Sequence, residues 1–347
     1  MAQINKSSDY FNTKLYTGTG ATHNVTGVGF QPDWVWINNR TGTYATTIFD
    51  AVRGATKFLE PAGTAQEQTF ADTLTSFDSD GFTLGADSSS FCNRGSSPNS
   101  YVAWNWLASN TTASNTDGSI TSTVSASTTS GFSIVSYTGN GTAGATIGHG
   151  LGAVPKMIII KRRSAIDNWT VYHSDLGGGN NSMFLESTDA KRSDLNMWNS
   201  TTPSSSVVTI GNRDEVNNSG STYIAYCFAE KKGFSKFGSY QGSSGNSFIY
   251  TGFKPAFLLV KSDSYNLGNW RIFDNRRSTS GANVIDDSLR ANTSGSEIDE
   301  TSLDFLSNGF KYRGNVTDAD SGGTSYIYMA FAESPLVGTN NTPATAR

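Results

Sequence analysis

A chain of 347 residues with only two cysteines is long enough for two or three hydrophobic cores and too poor in cysteine for a disulfide framework or a Cys-based metal site. Its 25 Lys and Arg are scattered among 29 Asp and Glu, for a formal net charge of −4, so the long-range field offers nucleic acid no attraction. The longest apolar runs, Met157 to Ile160 and Ala256 to Val260, fall far short of the roughly 20 residues of a spanning helix, and no membrane insertion is expected.

Aromatic residues supply 12% of the chain and glycine 36 residues, with abundant Ser, Thr and Asn. That mixture favours short strands joined by tight turns over helices, and the expected class is all-β. Residues 1–14 are polar, fit an arm or a first strand equally, and lack the apolar centre of a secretory signal, which implies synthesis in a cytoplasm.

From Leu15 a first block reads as strands bounded by Gly, Asn, Asp or Ser. It contains Tyr16-Thr17-Gly18, a Gly/Pro turn (Gly29 to Pro32) feeding the apolar run Trp34 to Ile37, then Thr47 to Gly54, Phe58 to Glu60, Leu74 to Leu84 and Tyr101 to Trp106. Residues 108–130 are almost entirely Ser, Thr, Ala, Asn and Asp, a composition that predicts an extended linker. A second block repeats the order with Tyr137-Thr138-Gly139, Pro155 and its apolar run, Trp169 to His173, Met183 to Glu186, Ser206 to Gly211 and Tyr223 to Glu230. A third follows with Tyr240-Gln241-Gly242, Pro255 and its run, Trp270 to Asp274, Leu303 to Phe310 and Tyr326 to Glu333. Only Lys231 to Gly233 separates the last two, which predicts that they abut more closely than the first pair.

Three landmarks test the repeat. Tyr16, Pro32 and Tyr101 recur 121, 123 and 122 residues later as Tyr137, Pro155 and Tyr223, and these recur after 103, 100 and 103 as Tyr240, Pro255 and Tyr326. A period near 100 exceeds any solenoid unit, so each block is expected to be a whole antiparallel β-sandwich domain. The expected division is 1–107, linker 108–130, 131–231, 232–336, and a fraying tail 337–347.

Candidates for chemistry are few. His23, His149 and His173 lie in turns or after a strand, without a nucleophile pattern beside them, and read as turn-bonded imidazoles. Cys92 and Cys227 read as small hydrophobes. Asp78 and Asp80, like Asp318 and Asp320, have a spacing that calcium loops use, but the later bidentate Glu is missing, and Asp-Ser-Asp-Gly also makes a hairpin turn. Gly177 to Asn181 lacks the lysine and helix of a phosphate loop. Trp34, Trp36, Trp104, Trp106, Trp169, Trp198 and Trp270 are either core residues or exposed platforms for sugars. Catalytic residues, metal and cofactor are expected to be none, and ligand-binding residues stay unassigned.

Five strings carry a resemblance: Tyr137-Thr138-Gly139-Asn140-Gly141, Gly148-His149-Gly150-Leu151-Gly152, Phe49 to Ala55, Ser76 to Gly85 and Tyr223 to Phe228. Through them, residues 10 to 336 resemble a domain family of unassigned function, abundant in virion structural proteins of marine bacteriophages such as cyanophages. The third block departs most, with Gln241 in place of threonine. The resemblance implies jelly-roll or lectin-like sandwiches in a virion component, with no active residues to carry over. The expected function is then a virion structural protein, not an enzyme, in a tail fibre or appendage that adheres to host-surface glycans. The alternative is capsid decoration or tail assembly without a ligand, and a glycan-depolymerising enzyme ranks last. Expected partners are other virion subunits, host glycans and further copies of the chain in an oligomer or lattice. The Gly/Pro strand itself is expected to be a folding signature, with binding left to the loops that differ between blocks.

Overall fold

The computed structural model describes residues 4–96, 99–278, 283–314, 316–335 and 337; most of the expected C-terminal tail lies outside them. The fold is all-β, built from antiparallel sheets. Proline fixes φ at the turn and β-branched or aromatic residues follow at once, so each Gly/Pro segment becomes a strand: Trp34–Asn39, Met157–Arg162 and Phe253–Ser262. Each takes an inner place in its sheet, hydrogen-bonded on one side to the last strand of its repeat (Ser100–Trp106, Thr222–Phe228, Ser325–Pro335) and on the other to the next strand in sequence (Thr47–Asp50, Trp169–His173, Arg271–Asp274). Strands with neighbours on both edges and packing on both faces read as nearly continuous apolar runs, and these do.

The opposite layer differs between repeats. In the first, His23–Thr26, Gly81–Leu84 and Leu74–Asp78 form a separate three-stranded sheet; in the second, Ala145–Gly148 pairs with Val207–Ile210. In the third, the long Ile298–Leu306 strand pairs first with Val284–Arg290 and then with Gly309–Tyr312, carrying one sheet round into both layers. Each repeat encloses its own apolar cluster between these layers.

The tyrosine landmarks of the repeat are cross-strand partners. Tyr16 pairs with Tyr101, Tyr137 with Tyr223 and Tyr240 with Tyr326, with ring centroids 5.1, 5.1 and 5.2 Å apart and nearly parallel planes. The first hydroxyl of each pair donates to a carbonyl of the segment before the closing strand: Cys92 O at 2.7 Å, Val216 O at 2.7 Å and Ala319 O. The second accepts a backbone N–H of that segment, from Arg94, Asn218 and Ser321. The glycine two residues after the first tyrosine is needed for close approach: a Cβ on Gly18, Gly139 or Gly242 would lie 2.2, 2.4 or 2.2 Å from the carbonyl oxygen of Arg94, Asn218 or Ser321. The Tyr-x-Gly signature is therefore a clasp.

One expectation is corrected. The segment 108–130 is not an extended linker. Ala113–Asn115 and Ser122–Ser127 are strands that extend the sheet of the second repeat, because an edge strand can draw its energy from backbone pairing and a few side chains, here Val124 and Ile120, without an apolar run of its own. The first repeat packs against both of the others, so contact between repeats is not confined to the pair joined by Lys231 to Gly233. Among residues 1–14, Ser7–Asp9 is a 3-10 turn and Phe11 begins the first strand, Phe11–Thr17.

Candidate functional site: the junctions between repeats

The inner sheet faces of all three repeats meet in one aromatic cluster. Trp106, Phe228 and Phe331 occupy the same place in the three closing strands, five residues after the landmark tyrosine; Phe331 lies 5.6 Å from Trp106 and 6.2 Å from Phe228 between ring centroids. Phe11 stacks on Phe331 at 5.3 Å, Trp34 lies 4.8 Å from Tyr226, and Trp104 lies 5.7 Å from Phe257. Burying such rings together contributes both transfer free energy and aromatic contact.

Around this centre each junction is built from the residue eight positions after the landmark proline. The carbonyls of Arg40, Arg163 and Asp263 accept the N–H of Glu297, Glu67 and Lys191 at 2.9, 3.0 and 3.0 Å. The same residues then pair through their side chains. Arg163 holds Glu67 in a bidentate grip at 2.9 and 3.0 Å, Arg40 holds Glu297 at 2.6 Å, and Asp263 holds Lys191 at 2.9 Å with the charges exchanged. Burial alone would raise the Glu67 carboxyl, but the bonds from Arg163 and the charges of Arg53 and Arg163 bring it below the ordinary glutamate value. The first repeat thus meets the third, the second meets the first and the third meets the second. Head-to-tail contacts of one kind that close after three steps make a ring with pseudo-threefold symmetry.

A second layer of polar contacts lies deeper. Asp50, His173 and Asp274 end equivalent strands and are wholly buried. Each reaches into the next repeat: Asp50 Oδ2 accepts the Tyr226 hydroxyl at 2.7 Å, Asp274 Oδ2 accepts Trp104 Nε1–H at 3.0 Å, and His173 Nε2 lies 3.1 Å from Tyr328 O. With a carbonyl as its partner, and with Nδ1 accepting Asp175 N–H, the imidazole is the neutral Nε2–H tautomer. Burial agrees, pushing the His173 pKa down to about 4. Three residues further on, Arg53 and Arg277 neutralise Asp50 and Asp274 and reach the junction glutamates, Arg53 to Glu67 at 3.3 Å and Arg277 to Glu297 at 2.9 Å. Burial disfavours both guanidinium charges, and Asp50 and Asp274 with their neighbours outweigh it, raising both pKa values. In the second repeat the neutral histidine needs no counter-ion, and Leu176 stands in the arginine position.

Lys161 and Lys261, at equivalent places in the Gly/Pro strands, send their ammonium groups to carbonyls across two junctions: Lys161 Nζ to Thr64 O at 2.9 Å and Lys261 Nζ to Thr188 O at 2.9 Å, each with a second carbonyl from its own loop. Burial lowers both to a pKa of about 8. A carboxylate saturated by Arg, Tyr and Trp donors, or an ammonium held by carbonyl dipoles, is a fastening; its lone pairs and protons are already committed.

The residues singled out in the sequence are dispersed. His23 is half-buried edge-on to Tyr16, and His149 accepts Leu151 N–H. Cys92 and Cys227 are buried, and burial pushes the Cys227 thiol up to about 12. Asp80 accepts the N–H groups of Gly27 and Gly29, while Asp78 accepts the Ser76 and Thr83 hydroxyls. Asp320 accepts Ser243 N–H, Gly245 N–H and the Ser247 hydroxyl, and Asp318 accepts Asn269 and faces Arg271 and Arg290. Gly177 to Asn180 is the loop after a short 3-10 turn, and Asn181 opens the strand Asn181–Phe184. All seven tryptophans are at most 1% exposed, so of their two readings the core one holds and the exposed sugar platform does not. The junction residues were legible in part: Asp50 and Arg53 recur as Asp274 and Arg277 at the same spacing.

A profile described as "Domain of unknown function (DUF7483)" matches residues 6–335, one match spanning all three repeats. No curated protein and no solved structure matches. A match over nearly the whole length places the chain in the DUF7483 domain family.

Proposed function

We propose that the chain is a non-enzymatic structural protein of a virus particle, a stiff ring of three β-sandwich units exposed on the virion, serving as a capsid decoration or as a body within a tail appendage. The observation that supports this best is the junction set, in which buried Asp, Arg, Lys and His side chains join one repeat to the next. Three units sharing one core move as a single body, which suits a load-bearing or lattice-bound role, and loops at the surface are free to vary without disturbing it. Burial of the tryptophans moves the balance from glycan adhesion toward the structural alternative. Adhesion keeps one feature in its favour, a groove of about 300 Å³ in the second repeat lined by Ser109, Thr111, Ser114, Asn115, Val124 and Gly150.

Purified particles, probed with an antibody against the chain and quantified by mass spectrometry, test the reading: many copies per particle indicate the capsid, few indicate the tail, and absence from particles removes the proposal. Glycan binding lost on changing Ser114 and Asn115 to bulky residues would favour adhesion instead.

A further inference from the structure

The outer layer of each repeat ends in a short strand whose central residue is buried: Val25 in His23–Thr26, Ile147 in Ala145–Gly148 and Ile249 in Phe248–Tyr250. Antiparallel pairing uses the N–H and C=O of alternate residues. In the third repeat, Tyr312 N–H bonds Ser247 O and Thr251 N–H bonds Asn308 O, so Ser247, Ile249 and Thr251 face the neighbouring strand, and the peptide groups of Phe248 and Tyr250 face outward. An outward row of this kind is a template for another strand.

The three repeats treat that row differently. In the second it is covered: Ile120 N–H bonds Thr146 O, the Ser122 hydroxyl bonds Gly148 O, and Ser119 Oγ accepts Thr146 N–H, with a parallel bridge from Ile120 to Ile147. In the first it is flanked by the exposed polar residues Asn24 and Thr26. In the third no corresponding bond reaches Phe248 or Tyr250 among the described residues, and both side chains are aromatic and about half exposed, at 48% and 58%.

We propose that the Phe248–Tyr250 edge is a homotypic dimer contact, pairing antiparallel with the same strand of a second copy about a twofold axis through Ile249. The edge is self-complementary. With Ile249 opposite Ile249, Phe248 stands opposite Tyr250 of the other copy, the two exchange both N–H···O=C bonds, and the symmetry repeats the exchange on the other side of the axis. Each Phe248 ring then lies against the Tyr250 ring of the other copy, a favoured cross-strand pair. A foreign strand would satisfy the peptide groups equally well but would meet two aromatic side chains only if it carried matching ones.

Sedimentation of the full chain over a range of concentrations tests this. A reversible monomer–dimer equilibrium is expected, weakened about tenfold or more, on the order of 1.4 kcal/mol, by Phe248→Lys and by Tyr250→Pro, and unchanged by Asn24→Lys on the equivalent edge of the first repeat. Because a proline can disturb the local strand, the register has its own assay: a mixture of F248C and Y250C chains should form a disulfide between unlike chains faster than either forms one alone, since hydrogen-bonded partners sit about 5.5 Å apart at Cα. A chain that stays monomeric at every concentration, a dimer indifferent to Phe248→Lys, or cross-linking without preference for the mixture would each overturn the proposal.

Discussion

Lys191 Nζ lies 2.9 Å from Asp263 Oδ2, in the place where the other two junctions put a glutamate against an arginine with the signs reversed. Were the repeats arranged in the opposite cyclic order, Arg40 would face Lys191 and Asp263 would face Glu67, two like-charge contacts. The one reversed pair thus ties the order of the ring to charge. Asp263→Lys and Arg163→Glu are each expected to destabilise by about 1–3 kcal/mol, the range for partly buried, charge-assisted bonds; the double variant Asp263→Lys/Lys191→Asp is expected to recover most of the loss, and Arg163→Glu/Glu67→Arg less of it, because position 67 also faces the buried Arg53 guanidinium. Urea unfolding of each double-mutant cycle measures the coupling; additive losses without recovery would contradict it.

Removing a buried carboxylate should cost more. Asp50→Asn leaves the Arg53 guanidinium, wholly buried, without its main counter-charge, and about 3–5 kcal/mol is expected to be lost. The second repeat supplies the remedy, a neutral histidine followed by leucine at the same two positions. Asp50→His/Arg53→Leu is therefore expected to be closer to wild type than Asp50→Asn alone, since a buried ion pair replaced by well-packed neutral groups is often tolerated. Chemical denaturation of the two variants side by side decides this.

How much of this was legible is a matter of which forces leave a mark on sequence. The landmark tyrosines keep their offsets because they are stacked partners across one strand pair and clasp the segment before it, and Gly18, Gly139 and Gly242 recur because no Cβ fits. The apolar run after each proline recurs because those strands are buried on both faces. The segment 108–130 misled because strand pairing at a sheet edge is carried by the backbone, which is the same for every residue but proline. The junctions were hidden because each partner lies on a different repeat, Arg163 and Glu67 being 96 residues apart, and because symmetry-related positions carry different chemistry, as Asp50, His173 and Asp274 do. The tryptophans left two readings open for another reason: a strand aromatic facing the common centre has the same local sequence as one facing water.

The shared core makes a spectroscopic prediction that needs no mutation. With all seven tryptophans at most 1% exposed and six of them, Trp34, Trp36, Trp104, Trp106, Trp169 and Trp270, in the common cluster, native emission should be blue-shifted and resist iodide quenching. It should also change in one cooperative step with circular dichroism during unfolding. Two separated transitions, with one repeat melting first, would mean that the common centre does not couple the repeats.

His173 gives the ring a defined response to acid. Its pKa is lowered from the usual 6.5 to about 4 by burial, so between these values the unfolded chain binds a proton that the folded chain does not. Its contribution is complete above about pH 6.5, declines as pH falls toward 4, and amounts to on the order of 3 kcal/mol at most. Burial raises the carboxyls of Asp33, Asp287 and Glu186 to about 6, 6 and 7, and these act with the opposite sign over much of the same window, because the folded chain then binds the extra proton. The informative quantity is accordingly a difference. Gln at position 173 can donate to Tyr328 O without titrating, so unfolding free energies of wild type and His173→Gln, measured from pH 4.5 to 7.5, should diverge with falling pH, wild type losing more. Parallel curves would mean that His173 is already charged in the fold, or that the junction opens to water.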